Sequence, residues 1–150
     1  MVKNLPDKWI RKAVTDAINN MTVFDSLNNV NIQIPCYDTR VPNNITKDHY
    51  ILLTTQTNNV NKLTKCEDSY ESSILIDIIT SYDGVGNPAS RLLADDILDK
   101  ARELTDNLVL DVGSNLTILR QTQNFPNDLS LITDTENVYR KFMRIEFFIN

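Results

Sequence analysis

Ser73-Ile-Leu-Ile-Asp-Ile-Ile-Thr-Ser-Tyr82, then Asp83-Gly-Val-Gly-Asn87, then Pro88-Ala-Ser-Arg-Leu-Leu-Ala-Asp-Asp-Ile-Leu-Asp-Lys-Ala-Arg-Glu-Leu-Thr-Asp-Asn-Leu108 is the stretch that decides the fold. The first run reads as a buried strand. Side chains alternate along a strand, so Ile74, Ile76, Ile78, Thr80 and Tyr82 share one face. The other face mixes Ser73, Asp77 and Ser81 with Leu75 and Ile79. One apolar face and one half-polar face suit a sheet covered mainly on one side. After the glycine loop, Ala89, Leu92, Leu93, Ile97, Ala101, Leu104 and Leu108 recur at helical spacing. Asn87 and Pro88 stand where an N-cap and a first-turn proline belong. A strand feeding a helix that packs back on the sheet is the expectation.

Working towards the N-terminus, Trp9, Ile10, Ala13, Val14, Ala17, Ile18 and Met21 form one apolar stripe, which predicts a helix from about Asp7 to Met21 with Asp7 as N-cap. Phe24 and Leu27 are expected to tuck beneath it. Val30–Ile34 and His49–Gln56 read as strands. The segment Cys36–Lys47, with Pro42 and Asn43-Asn44, reads as a loop, and the polar stretch Thr57–Ser69 as a long excursion between neighbouring strands. Towards the C-terminus, Leu116–Gln123 and Val138–Ile149 show the two-residue period of strands, with Leu129–Ile132 a brief strand or a tucked loop. On the terminal strand Tyr139, Met143, Ile145, Phe147 and Ile149 face one way, and Lys141 is the exception. The expected fold is a single α+β domain over residues 1–150. Its sheet is mostly antiparallel and twisted, of about five strands, with two helices packed on one face in the order α-β-β-β-α-β-β.

The chain has 150 residues, 41% of them hydrophobic and 23% charged, the balance of a globular protein with a real core. No apolar run approaches the ~20 residues that cross a bilayer. The first residues lack the apolar core of a signal peptide, so the expectation is a chain made and kept in a cytoplasm, with no membrane partner. Its net charge of −5 argues against tight nucleic-acid binding, which needs clustered Lys and Arg. The frequent doubled Asn residues (Asn19-Asn20, Asn28-Asn29, Asn43-Asn44, Asn58-Asn59) read as the mark of an AT-rich genome.

A search for chemistry returns little. His49 is the single histidine, and Cys36 and Cys66 stand far apart without a catalytic signature. Gly84 and Gly86 between strand and helix suggest a phosphate loop, but Ala89 takes the place of a third glycine and no Lys-Ser/Thr follows. Asp95, Asp96 and Asp99 read as a solvated helix face paired with Arg91, Lys100 or Arg102. Arg140, Lys141 and Arg144 are the densest positive charge, expected to pair across strands or meet a subunit. No catalytic, cofactor or metal residues emerge.

The order of elements, the strand Ile74–Tyr82 interrupted by Asp77, the Ala/Leu/Asp-rich helix Ala89–Ala101, and the final Tyr139-Arg-Lys-Phe-Met-Arg-Ile145 together resemble the tail terminator (tail completion) proteins of bacterial viruses and related neck ring proteins. The resemblance covers nearly the whole chain. It implies a structural protein of the virion neck or tail, made in the host bacterial cytoplasm, with no enzyme activity and no cofactor. It implies a closed ring, six-fold or twelve-fold, that caps the tail and joins it to the portal or head connector and adjacent neck and tail proteins. DNA would pass through without specific binding. Asn58, Asn59, Lys62, Lys65, Glu67, Asp68, Arg140 and Arg144 are the expected subunit or partner contacts, the first six on an excursion that would reach towards a neighbouring ring or into the lumen. Two other readings compete. One is a small anion- or nucleotide-binding regulatory α+β domain using the Asp83–Asn87 loop and the following helix N-terminus. The other is a small metal-dependent hydrolase or nuclease using Asp77, Asp83 and Asp95.

Overall fold

The run around Ser73 is the middle of a longer strand, β5, Asp68–Asp83, and the sheet is built outward from it. The computed structural model describes residues 4–41, 48–62, 68–84, 89–132 and 136–150. On one side β5 pairs antiparallel with β4, His49–Lys62. On the other it pairs antiparallel with β8, Glu136–Ile149, in unbroken register from Tyr70↔Ile149 to Asp83↔Glu136. Beyond β8 lie β6, Ile118–Asn124, and β7, Leu129–Ile132, each pairing with a different part of it. A short β3, Cys36–Asp38, runs parallel to β4 at Ile51–Leu53. The six-stranded sheet therefore reads β3-β4-β5-β8-β6, with β7 also on β8. β1, Met21–Asp25, and β2, Val30–Ile34, form a separate antiparallel pair.

Both helices pack on the face that carries Ile74, Ile76 and Ile78. Helix α1, Asp7–Ile18, buries Ile10, Val14 and Ile18, spaced four apart so that they fall on one side. Helix α2, Leu92–Leu104, buries Leu93, Ala94, Ile97 and Ala101. The α1 residues, Leu93, Ile97 and Ala101 share one apolar cluster with Ile51, Ile74, Ile76, Ile78, Met143 and Ile145. The α+β class and the two helices are as expected. The strand count and order are not: eight strands in two sheets, among the described residues, replace about five.

The differences have local causes. α1 ends at Ile18, and Met21 belongs to β1. The chain reverses at Asn19-Asn20: Asn20 takes a left-handed φ of 57°, and Asn19 Oδ1 accepts from the Cys36 backbone N–H at 3.1 Å. The β1–β2 hairpin is closed the same way. Asn29 has a φ of 55°, and the buried Asp25 carboxylate accepts from Leu27 N and Asn28 Nδ2. Asparagine tolerates this conformation better than most residues, so two of the doubled pairs make turns. The turn leaves Phe24 and Leu27 exposed, not under the helix. Pro6, not Asp7, holds the N-cap position of α1. α2 starts at Leu92, where the Ser90 hydroxyl accepts from Leu92 N, and it stops before Thr105, whose hydroxyl donates to the Ala101 carbonyl at 2.7 Å. Asn87 and Pro88, expected as its cap, lie outside the described residues.

The expected excursion is largely strand. β4 and β5 continue as a hairpin from Thr57↔Ser73 to Lys62↔Asp68. Cross-strand hydroxyl and amide pairs hold it, Thr57 Oγ1 with Ser73 Oγ at 2.5 Å and Ser72 Oγ donating to Asn58 Oδ1 at 2.9 Å.

Candidate subunit interface

The strand period that places Ile74, Ile76 and Ile78 under the helices places Leu75, Asp77 and Ile79 on the opposite face. The register sets Leu52, Tyr50, Phe142 and Arg140 beside them, and β7 adds Leu129 and Leu131 at the edge. Both helices lie on the other side, so these side chains cover one another. Tyr37 on β3 lies beside Tyr50, their rings 6.4 Å apart. Leu129 and Leu131 are 54% and 60% exposed, two adjacent apolar side chains on one edge strand.

The centre of this open face is charged. The Asp77 side chain is 1% exposed, and Arg140, one strand across, holds it through two nitrogens, Nε at 3.3 Å and Nη2. The Arg140 guanidinium also lies 5.3 Å from the Phe142 ring centre. The hydrogen bond that Arg140 donates to Asp77 raises the arginine's already high pKa, so the guanidinium stays charged. A buried carboxylate with a bidentate partner in an apolar frame specifies geometry more than it adds stability.

The expected contact residues divide. Asn59 and Arg144 are exposed on this open face, and Arg140 is there too, though engaged with Asp77. Asn58 points to the helix side of the sheet and is held by Ser72. Lys62 pairs through its backbone with the half-buried Asp68, and Lys65 and Glu67 lie outside the described residues. The sequence reading passed over Tyr50, Phe142, Leu129 and Leu131. The sign available was the aromatic and aliphatic content of the supposedly half-polar face, legible only once the register aligns four strands.

Lys141, the exception on the apolar face of β8, reaches Asp95 on α2 at 2.5 Å and Asp128 at 3.0 Å. That pins the start of α2 to the sheet. It also removes Asp95 from the expected pairing within the helix and from any site with Asp77, since the two carboxylates lie on opposite faces of the sheet. Asp83 is exposed at the end of β5. The three acids expected for a hydrolase are therefore not brought together, and no group of three or more His, Cys, Asp or Glu among the described residues is placed to hold a metal. The Cys36 thiol is buried, which pushes its pKa up to about 12 and keeps it a poor nucleophile. Cys66 lies outside the described residues. No helix among the described residues is long and apolar enough to cross a membrane.

A second polar group sits at the end of the sheet near the start of α2. The His49 and Tyr82 rings are 5.2 Å apart, and Tyr82 and Tyr139 6.2 Å. Burial lowers the His49 pKa and pushes the Tyr82 hydroxyl up to about 12. His49 Nδ1, Tyr82 Oη and Asn137 Oδ1 are buried and have no hydrogen-bond partner among the described residues. Arg91, which precedes α2, lies 5.3 Å from the Tyr139 ring centre.

No family model and no curated protein matches this chain.

Proposed function

We propose that this chain is a structural virion protein, a ring-forming component of a phage neck or tail that caps the tail and joins it to the head connector. The observation that carries the reading is the open face of the six-stranded sheet. It is framed by aromatic and aliphatic side chains, centred on an ion pair whose carboxylate is buried and whose arginine is partly exposed, and left uncovered by either helix. A surface of this make-up favours a protein partner over a small molecule. The resemblance to tail terminators supplies the setting, and the negative charge of the chain suits a wall past which DNA slides. In this reading the protein is not an enzyme, carries no cofactor, and has as partners its own copies and the adjacent connector and tail proteins.

Negative-stain images of the concentrated protein test this directly. Closed annuli with an open lumen are expected, and duplex DNA at physiological salt should not be retained by them. Retention of DNA, or irregular aggregates in place of annuli, would count against the ring.

The anion-binding alternative keeps one supporting observation, the His49 ring nitrogen and Tyr82 hydroxyl near the start of α2, which have no hydrogen-bond partner among the described residues. Titration calorimetry with phosphate and nucleotides separates the two readings. Saturable heat lost in a Tyr82→Phe variant would favour the alternative, whereas the ring reading expects no heat.

A further inference from the structure

Of the backbone edges of the main sheet that have no neighbouring strand among the described residues, those of β4 and β6 lie at the same end. β3 covers only Ile51–Leu53 of β4, which leaves the outer edge of β4 from Thr54 onward bare. β6 pairs with β8 alone. The two edges are level: Asn58 aligns with Ser72, Ser72 with Phe147, and Phe147 with Gln121. Their directions follow from the topology. β4 is antiparallel to β5, β5 to β8 and β8 to β6, so β4 and β6 run antiparallel to each other.

Strand edges that must stay single are usually blunted by charge, proline or a bulge. The one irregularity in β4 falls between Leu53 and Gln56, and the register beyond it is continuous to Lys62. From Thr54 to Asn61 the sequence is Thr-Thr-Gln-Thr-Asn-Asn-Val-Asn, without a charge or a proline. β6 carries a single charge, Arg120, and one irregularity at its start, between Ile118 and Arg120, with continuous register from there to Asn124. Each edge also exposes one apolar side chain, Val60 at 50% and Leu119 at 56%.

We infer that the bare edge of β4 in one copy pairs antiparallel with the bare edge of β6 in the next, so that the sheet continues from protomer to protomer. A second copy is the occupant because it fills both edges with one kind of contact, in the favoured antiparallel sense and over stretches of similar length. An added foreign strand would cover one edge and leave the other bare. Two different edges of one chain in contact form a heterologous interface, which closes into a ring when the rotation per copy allows. The pairing presupposes the ring proposed for this chain and names the contact that builds it.

Cysteine cross-linking tests the pairing in a Cys66→Ser background, where the remaining Cys36 is buried. Asn59→Cys on β4 is combined with Arg120→Cys, Thr122→Cys or Asn124→Cys on β6, all on the open face so that paired side chains emerge together. Oxidation of mixed single-cysteine proteins should give a covalent dimer for at least one combination. The matching double-cysteine chain should give a ladder that stops at the ring number. Cross-linking of Asn59→Cys to itself would overturn the proposal in favour of a two-fold β4–β4 contact. Annuli in stained images with no cross-link at any position would overturn it and leave the ring standing. Absence of both annuli and cross-links would remove the pairing and the ring together. As a second handle, Leu119→Lys should lower the particle mass to that of a monomer without changing the melting temperature of the monomer. Assembly unaffected by it would count against β6.

Discussion

The two faces of the main sheet come from the same strands and share their backbones, yet they are finished differently. Ile74, Ile76, Ile78, Met143 and Ile145 are sealed beneath two helices, and two polar side chains of that face reach the covering layer: Lys141 at Asp95 on α2, and Gln121, whose side chain bonds backbone groups of Thr105 and Leu108 just past it. On the other face Leu75, Ile79 and Phe142 surround a charged pair that no helix covers. The covered face completes the fold within one chain. The open face leaves Leu129 and Leu131 exposed beside a fixed charge pair, and in the proposed function it would meet another protein molecule.

The largest expected difference between the faces is in stability. Ile76→Ala removes a fully buried side chain at the centre of the covered face and should cost about 3 kcal/mol in urea unfolding. Leu131→Ser on the open face should stay within about 0.5 kcal/mol. Equal costs would erase the distinction. Next comes the ion pair. Arg140→Ala strands a carboxylate that is 1% exposed, and because the arginine side chain is itself 40% exposed the loss should be about 2 kcal/mol, below the cost of breaking a fully buried pair. The double change Asp77→Leu with Arg140→Met should recover most of it, and failure to recover would mean that the pair stabilises rather than specifies. Lys141→Met, which frees α2 from β8, should lose about 1 kcal/mol. Hydrogen exchange should then speed up at Leu93 and Ala94 more than in β5.

The smallest effect is the pH dependence of His49. Burial lowers its folded pKa below the ordinary 6.5, so the unfolded chain takes up a proton first. Its contribution is present above pH 6.5 and is lost as the pH falls towards the lowered value. Melting temperature should drop with acidification through this window, and His49→Gln should flatten that part of the profile. An unchanged slope in the variant would place the acid sensitivity elsewhere.

The helix-covered face was legible because burial imposes a period: two along β5 and β8, and four along α1. Where burial does not alternate, the sequence is silent. Thr57–Lys62 meets polar partners such as Ser72 and Ser73, so its strand has no apolar rhythm. Met21, three residues after Ile18, continues the helical stripe on paper, although Asn20 has already turned the chain. β3 is held mainly by backbone bonds to β4 and leaves no pattern. Asp77 and Arg140 are 63 residues apart, and only the β5–β8 register brings them together. Arg140 and Arg144 were singled out for their charge alone, whereas the Phe142, Tyr50 and Leu131 frame that gives that charge a setting needed four strands to be aligned.

The measurement that bears most directly on the account is mass by light scattering across a concentration series of the wild-type protein. The account predicts a mass that rises to a fixed multiple of the monomer, six or twelve, and then levels off. A monomer mass at every concentration would contradict it.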